Sequence, residues 1–180
     1  STYLYQGEEL GLPQVTGIPD HARQDPTFFT NPGVDVGRDG CRVPLPWQAD
    51  APAFGFGETI SHLPQPEYWG DFAVDVELAD PDSTLRFYQK AIKLRQELEA
   101  LEETLTWLDL EVELPGINAA AANDVLLFSR PPAADGRTWV CVSNFGTEPV
   151  PLPEGELLLT SGPLPTPGEL PGETTAWLRR

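Results

Sequence analysis

Apolar positions along this chain change their rhythm three times, and each change predicts a different kind of structure. Tyr3, Leu4 and Tyr5 form a short β-prone run, and Gly7 then permits a turn before Glu8 and Glu9. From Pro13 to about Val76 the chain is rich in Pro, Gly and Asp and shows little periodicity. Phe28, Phe29, Trp47, Phe54, Phe56, Tyr68 and Trp69 lie within that stretch. Such aromatic anchors predict a folded excursion over a site, since a solvated linker lacks them. Phe87, Ala91, Leu94, Leu98 and Leu101 then recur at alternating steps of four and three, the spacing of one helix face. Asp80 stands as the expected N-cap, with Pro81 at the first helical position and Asp82 in the first turn. At 1.5 Å per residue this helix would be about 30 Å long.

From about Thr104 the rhythm shortens. Thr106–Glu111, Val125–Arg130, Thr138–Asn144, Glu156–Thr160 and Thr174–Leu178 read as strands. Turn pairs such as Pro115-Gly116, Asn123-Asp124, Asp135-Gly136 and Glu154-Gly155 separate them. Short strands at this spacing predict an antiparallel sandwich, with the Pro-rich 149–171 stretch at an edge. No internal repeat is visible.

Composition narrows the function classes. With 180 residues and 40% apolar content, one or two small domains with a core are expected. The absence of Met and the apolar run beside Ser1 suggest the C-terminal part of a longer polypeptide. No run is long enough to span a membrane. A net charge of −17, with nine Arg and two Lys, disfavours nucleic acid and anionic membranes as partners. Cys41 and Cys141 lack metal-ligand spacing and predict reduced thiols in the cytoplasm, one long-range disulfide being the alternative.

The densest candidate chemistry is GRDGCRVPLPW, Gly37–Trp47. Two arginines and a carboxylate sit among glycines and prolines, too irregular for helix or strand. An apolar strand ending in paired acids, followed by such a loop, is the layout of a barrel strand feeding a site at its C-terminal end. Glu8 and Glu9 are adjacent and would point to opposite faces of a strand, so bracing or capping is preferred to a paired acid/base site. His21 and His62 lack ligand spacing, no metal or cofactor is expected, and no GxSxG elbow is present. Trp107, Trp139 and Trp177 are expected in the sandwich core, while Trp47 and Trp69 stand on the loop as candidates to stack on a ligand ring at the rim.

In order, YLYQGEELGLPQV, RQDPTFF, GRDGCRVPLPW, the Phe54–Phe56 pair and DPDSTLRFYQKAIKLRQEL resemble the C-terminal third of a glycoside hydrolase family 13 α-glucosidase. The likeness covers residues 1 to about 105 and is nearest to enzymes cleaving maltose-like and isomaltose-like substrates. It implies an α+β fragment: the last β/α unit of a (β/α)8 barrel, then an antiparallel β-sandwich. Residues 1–103 would hold the eighth strand (Tyr3–Gly7), its long active-site loop and the eighth helix, and residues 104–180 the sandwich. The implied reaction is retaining hydrolysis of terminal α-glucosidic bonds. The reacting carboxylates would lie on strands outside this chain, so that the chain alone would be inactive and needs an N-terminal barrel portion as its partner. The resemblance assigns Arg38 to the terminal glucose of an α-glucoside oligosaccharide, a role suited to a guanidinium with fixed donors. Asp39 and Arg42 are expected to support the loop. A non-catalytic carbohydrate-binding or interaction module stays open, as does a trehalose-synthase-like transglucosylase fragment. So does a family member without catalysis, such as the heavy chain of an amino-acid transporter.

Overall fold

Gly7 sets how the chain enters the fold: its φ of 94° turns the backbone into a 3-10 turn at Glu8–Leu10, which Gly11 closes at φ 61°. The turn inserts Leu10, fully buried. Glu8 and Glu9 are spent locally, accepting from the Tyr5 and Gly7 amides at 2.8 and 2.9 Å. The computed structural model describes residues 3–31, 33–98, 104–130 and 136–180. Within it Tyr3–Tyr5 carry no strand pairing among the described residues. A strand exists through its ladder, and no described residue pairs with them; Tyr3 is 89% exposed.

The chain divides into two compact units, Ser1–Lys90 and Ala91–Arg180. The first is the expected folded excursion. Val15, Ile18, Val43, Leu63 and Trp69 form its core, with Leu12, Ala22 and Phe54 packed against them. Around that core run helix α1 (Pro26–Thr30), helix α2 (Val74–Ala79) and 3-10 turns at Asp20–Ala22, Asp39–Cys41, Pro52–Gly55 and Glu67–Phe72. Backbone bonds stitch distant parts together: Val15 donates to Gly40 at 3.0 Å, Val74 to Pro46 at 3.1 Å and Asp75 to Trp47 at 3.2 Å. Trp69 belongs to this core at 3% exposed, which corrects its standing as a stacking candidate, whereas Trp47 is 48% exposed.

Helix α3 spans Thr84–Glu97, and the boundary between the units falls inside it. Its start differs from expectation. Asp80 closes a turn instead, its Oδ1 accepting from Asp82 and its carbonyl from Ser83. Ser83 is the cap: its Oγ accepts from Arg86 at 3.2 Å and its carbonyl from Phe87 at 3.0 Å. Buried Glu77 adds a carboxylate from α2, taking the Leu85 amide at 2.8 Å, which displaces the start three residues downstream. Leu101 and the expected boundary at 103/104 lie outside the described residues.

The second unit is built on a five-stranded antiparallel sheet. Its strands are β1 (Thr106–Trp107), β2 (Val125–Arg130), β3 (Trp139–Asn144), β5 (Glu156–Thr160) and β7 (Thr174–Arg179), in the order β1-β2-β3-β7-β5. A separate ladder joins β4 (Val150–Pro151) to β6 (Glu169–Leu170), inside the Pro-rich stretch where only edges were expected. Register puts Leu127 opposite Val142, Val142 opposite Ala176 and Val140 opposite Leu178. These five alternate positions form one buried face with Val125, covered by Val150 and Leu170 of the small ladder and by Leu114.

Two expectations are corrected here. The strand foreseen at Thr106–Glu111 stops at Trp107, because the Asp109 carboxylate accepts from Glu111 and Val112 at 2.9 and 3.4 Å. That cap starts helix α4 (Leu110–Glu113), which delivers Leu114 into the core. The three tryptophans are not in that core. They occupy the opposite sheet face, where Trp107, Phe128, Trp139 and Trp177 form a row with centroids 5.9, 6.0 and 5.4 Å apart. The alternation of side chains along a strand explains it: Trp139 and Trp177 are out of phase with Val140 and Leu178.

One polar side chain is sealed into this unit. Asn144, at the end of β3 and 2% exposed, points its Nδ2 at the carbonyls of Glu148, Leu170 and Pro171, and its Oδ1 accepts from Gly146 at 3.0 Å. A single amide thus ties the main sheet to the small ladder.

Candidate functional site: the Arg38 loop

Two carboxylates organise the GRDGCR segment by exchanging bonds between two loops. Asp25 caps α1, with Pro26 at the first helical position and Oδ1 accepting from Thr27 at 2.9 Å. Its Oδ2 accepts from the Arg38 amide at 2.8 Å and from Arg42 Nη1 at 3.0 Å. In return Asp39, 2% exposed, accepts the amides of Gln24 and Asp25 on its Oδ2, at 2.8 and 3.0 Å. Each loop therefore supplies the acceptor for the other's backbone. The Thr27 amide beside Asp25, together with the Arg38 amide and the Arg42 charge, holds its carboxyl down at about 2 against the ordinary 3.8.

Two glycines make the approach possible. Gly37 adopts φ 70°, and a Cβ there would lie 2.7 Å from the Asp25 side chain. Gly40 presses on the Val15 carbonyl, where any side chain would collide. Arg23 backs the segment from below: its Nη1 donates to the Val36 carbonyl at 3.2 Å, and its guanidinium lies 5.0 Å from the Phe28 ring centroid.

Arg38 itself is different. Its backbone is held by Asp25, but its side chain is exposed and has no hydrogen bond or ion pair among the described residues. Every other charge in the segment is engaged: Asp39 by two amides, Arg42 by Asp25, and Asp35 by the Gly37 amide at 2.8 Å. A rigid backbone presenting one unspent guanidinium can donate up to five hydrogen bonds to oxygen acceptors brought to it. Near it, the Tyr5 hydroxyl and Cys41 Sγ are 3.7 Å apart, and that contact pushes the Tyr5 phenol up while the Arg42 and Arg38 charges oppose it. Cys41 Sγ also donates to the Arg38 carbonyl at 3.2 Å.

Sequence reasoning singled out Arg38, Asp39 and Arg42 and missed Asp25. The signal for Asp25 was present as Asp-Pro ahead of a helix, which reveals a cap but not that the second oxygen reaches thirteen residues on to Arg38. His21 and His62 are exposed and line one groove with Phe54 and Ile60. Both cysteines are free thiols, Cys41 half-buried and Cys141 buried. Among the described residues no three His, Cys, Asp or Glu side chains cluster as metal ligands.

Residues 1–104 match the family described as "Alpha amylase, catalytic domain", and residues 116–177 match a "Domain of unknown function (DUF3459)". The chain belongs to the α-amylase family. A probable alpha-glucosidase of Rhizobium meliloti is 35% identical over 98 residues, covering 54% of this chain and 17% of that protein. The oligo-1,6-glucosidase of Parageobacillus thermoglucosidasius is 29% identical over 112 residues, covering 53% and 20%. Among solved structures, the alpha-glucosyl transfer enzyme XgtA superposes with a TM-score of 0.70 at 30% identity, over 98% of this chain and 32% of that one. The trehalulose synthase MutB of Pseudomonas mesoacidophila gives 0.67 at 24% identity, over 97% and 34%, a likeness of fold. This member of the family thus spans about a fifth of the curated relatives it matches and about a third of the solved chains. Its architecture is the end of the catalytic barrel followed by an antiparallel sandwich.

Proposed function

We propose that this chain forms one wall of the glucose pocket of a retaining α-glucosidase acting on maltose-like or isomaltose-like oligosaccharides. The observation that carries the reading is the unspent guanidinium of Arg38 on a loop whose other charges are consumed in holding it. Sugar hydroxyls are the acceptors it would meet, and several donors in one plane fix the orientation of a glucosyl ring more tightly than a point charge does. Asp25, Asp39 and Arg42 act as positioning residues, keeping the Arg38 backbone still. The nucleophile and the acid/base carboxylate belong to other barrel strands, so these residues bind and orient while chemistry proceeds on an N-terminal portion of the enzyme. Residues 1–103 and 104–180 are the barrel end and the sandwich in this reading. The free Cys41 and Cys141 support a reducing, cytoplasmic setting.

The test is glucose release from a nitrophenyl α-glucoside by the intact gene product. Arg38→Ala lowers kcat/KM on the order of 10²-fold, as loss of a positioning contact, with the melting temperature unchanged. An unaltered kcat/KM removes Arg38 from the pocket. Glucosyl transfer is the second reading, favoured by the likeness to XgtA across 98% of the chain. Product analysis in the presence of an acceptor sugar separates the two, since a transferase yields new disaccharide where a hydrolase yields free glucose.

A further inference from the structure

Arg23 carries a buried charge that no carboxylate holds closely, its side chain being 7% exposed. Asp20 faces it from 3.7 Å, but that carboxylate is 86% exposed, and Arg23 Nε has no hydrogen bond among the described residues. A buried guanidinium so thinly paired does little for stability, and an apolar side chain of similar volume is often neutral or better in its place. Two other contacts occupy it. The Phe28 ring centroid lies 5.0 Å from Cζ, and the Val36 carbonyl accepts from Nη1 at 3.2 Å.

That carbonyl belongs to the peptide unit that enters Gly37. The other end of the unit, the Gly37 amide, donates to Asp35 Oδ1 at 2.8 Å, and the next amide, that of Arg38, donates to Asp25 Oδ2 at 2.8 Å. Gly37 stands at φ 70°, and glycine moves between backbone wells with little steric penalty, so a peptide joined to it turns readily unless held. Asp35 rides on the same segment and would turn with it. Arg23 holds the unit from a separate run, the one that also carries Asp25. Residues 23 and 25 thus reach residues 36 and 38, one giving a donor to a carbonyl and the other an acceptor to an amide. Val36 is 53% exposed, so water replaces the guanidinium at its carbonyl when Arg23 is removed. Stability then changes little, while the peptide beside Arg38 is freed.

We propose that Arg23 is a positioning residue for glucosyl binding: it locks the Val36–Gly37 peptide and so sets where Arg38 presents its guanidinium. This rests on the reading of Arg38 given above. The experiment is a double-mutant cycle in the intact gene product, read by kcat/KM for a nitrophenyl α-glucoside, by melting temperature and by amide exchange. Arg23→Met keeps a side chain over Phe28 but has no donor. It lowers kcat/KM about tenfold, as a misplaced contact does, and leaves the melting temperature at or above that of wild type. Arg23→Lys keeps a charged donor without the planar fork and recovers part of the loss. In an Arg38→Ala background, Arg23→Met changes kcat/KM by less than about twofold, because the two residues act as one unit. A peptide covering residues 34–40 exchanges faster in Arg23→Met than in wild type. A residue that only fills the core would lower the melting temperature and act equally in both backgrounds, and that pair of results overturns the proposal. Equal exchange of the 34–40 peptide in Arg23→Met and wild type overturns the lock. Wild-type kcat/KM in Arg23→Met, beside a crippled Arg38→Ala, overturns this assignment alone. Wild-type kcat/KM in Arg38→Ala overturns the pocket reading and the role of Arg23 with it.

Discussion

Replacing Asp39 by Ala isolates the lock beneath Arg38. The carboxylate is 2% exposed and accepts two backbone amides, Gln24 and Asp25, on one oxygen. Truncation leaves both donors facing a space about the size of a carboxylate. A buried donor without a partner costs about 1–3 kcal/mol, so two cost about 2–6. Water entering from the exposed Gln24 side recovers part of this, and about 2–4 kcal/mol is the expected net loss of local stability. Because the loss is local, hydrogen exchange reads it more directly than a global melt. Amide exchange in a peptide covering residues 23–28 should accelerate about 30-fold to several hundredfold, each tenfold being about 1.4 kcal/mol. Peptides from β2 and β3 in the other unit should exchange at the wild-type rate. Asp39→Asn keeps an acceptor oxygen but loses its charge, so its acceleration should be a fraction of that of Asp39→Ala. If residues 23–28 exchange alike in Asp39→Ala and wild type, the carboxylate is not what holds the two loops together. Arg38 would then owe its position to Asp25 alone.

Three further outcomes follow from single contacts. Asp25 has its carboxyl depressed to about 2 from an ordinary 3.8, so its contribution to stability is fully present above pH of about 4. The melting-temperature gap between wild type and Asp25→Asn should therefore be constant from pH 7 to about 5 and shrink as pH falls toward about 2; a gap that widens with acid would reverse the assignment. Asn144→Leu strands the carbonyls of Glu148, Leu170 and Pro171 and should lower stability by about 2–3 kcal/mol, seen as early loss of near-UV tryptophan signal on heating. Burial pushes the Cys141 thiol up, so a thiol reagent at pH 8 should label Cys41 quickly and Cys141 only after denaturation, and equal native rates would contradict its burial.

The sheet of the second unit was legible because its strands carry their own evidence. Val125, Leu127, Val140, Val142, Ala176 and Leu178 alternate with less buried neighbours, and that alternation survives into the register. The tryptophans misled for a related reason: size suggests burial, but phase decides the face, and Trp139 and Trp177 are out of phase with the core. Periodicity also placed α3 but not its start. Asp80-Pro81 is a sound cap signal in isolation, and the competing cap comes partly from Glu77, a residue that sequence spacing cannot show folding back on Leu85.

The first unit has almost no periodicity, so its chemistry was visible only through residue types, and its architecture through local rules used at long range. Asp25 and Asp39 each accept backbone amides as a capping residue does, which is a local habit of short acids. Here each acid serves a loop more than a dozen residues away, Asp25 reaching Arg38 and Asp39 reaching Gln24. Gly37 is what lets Asp25 come within bonding distance of the Arg38 amide, since a side chain there would meet the Asp25 side chain, while Gly40 leaves room for the Val15 carbonyl. The mutual dependence of the motifs follows from this. RQDP and GRDG each supply the other's missing acceptor, and a change in either run should loosen both. Arg38 is the one charge the exchange leaves over, which makes its freedom a consequence of how completely its neighbours are used.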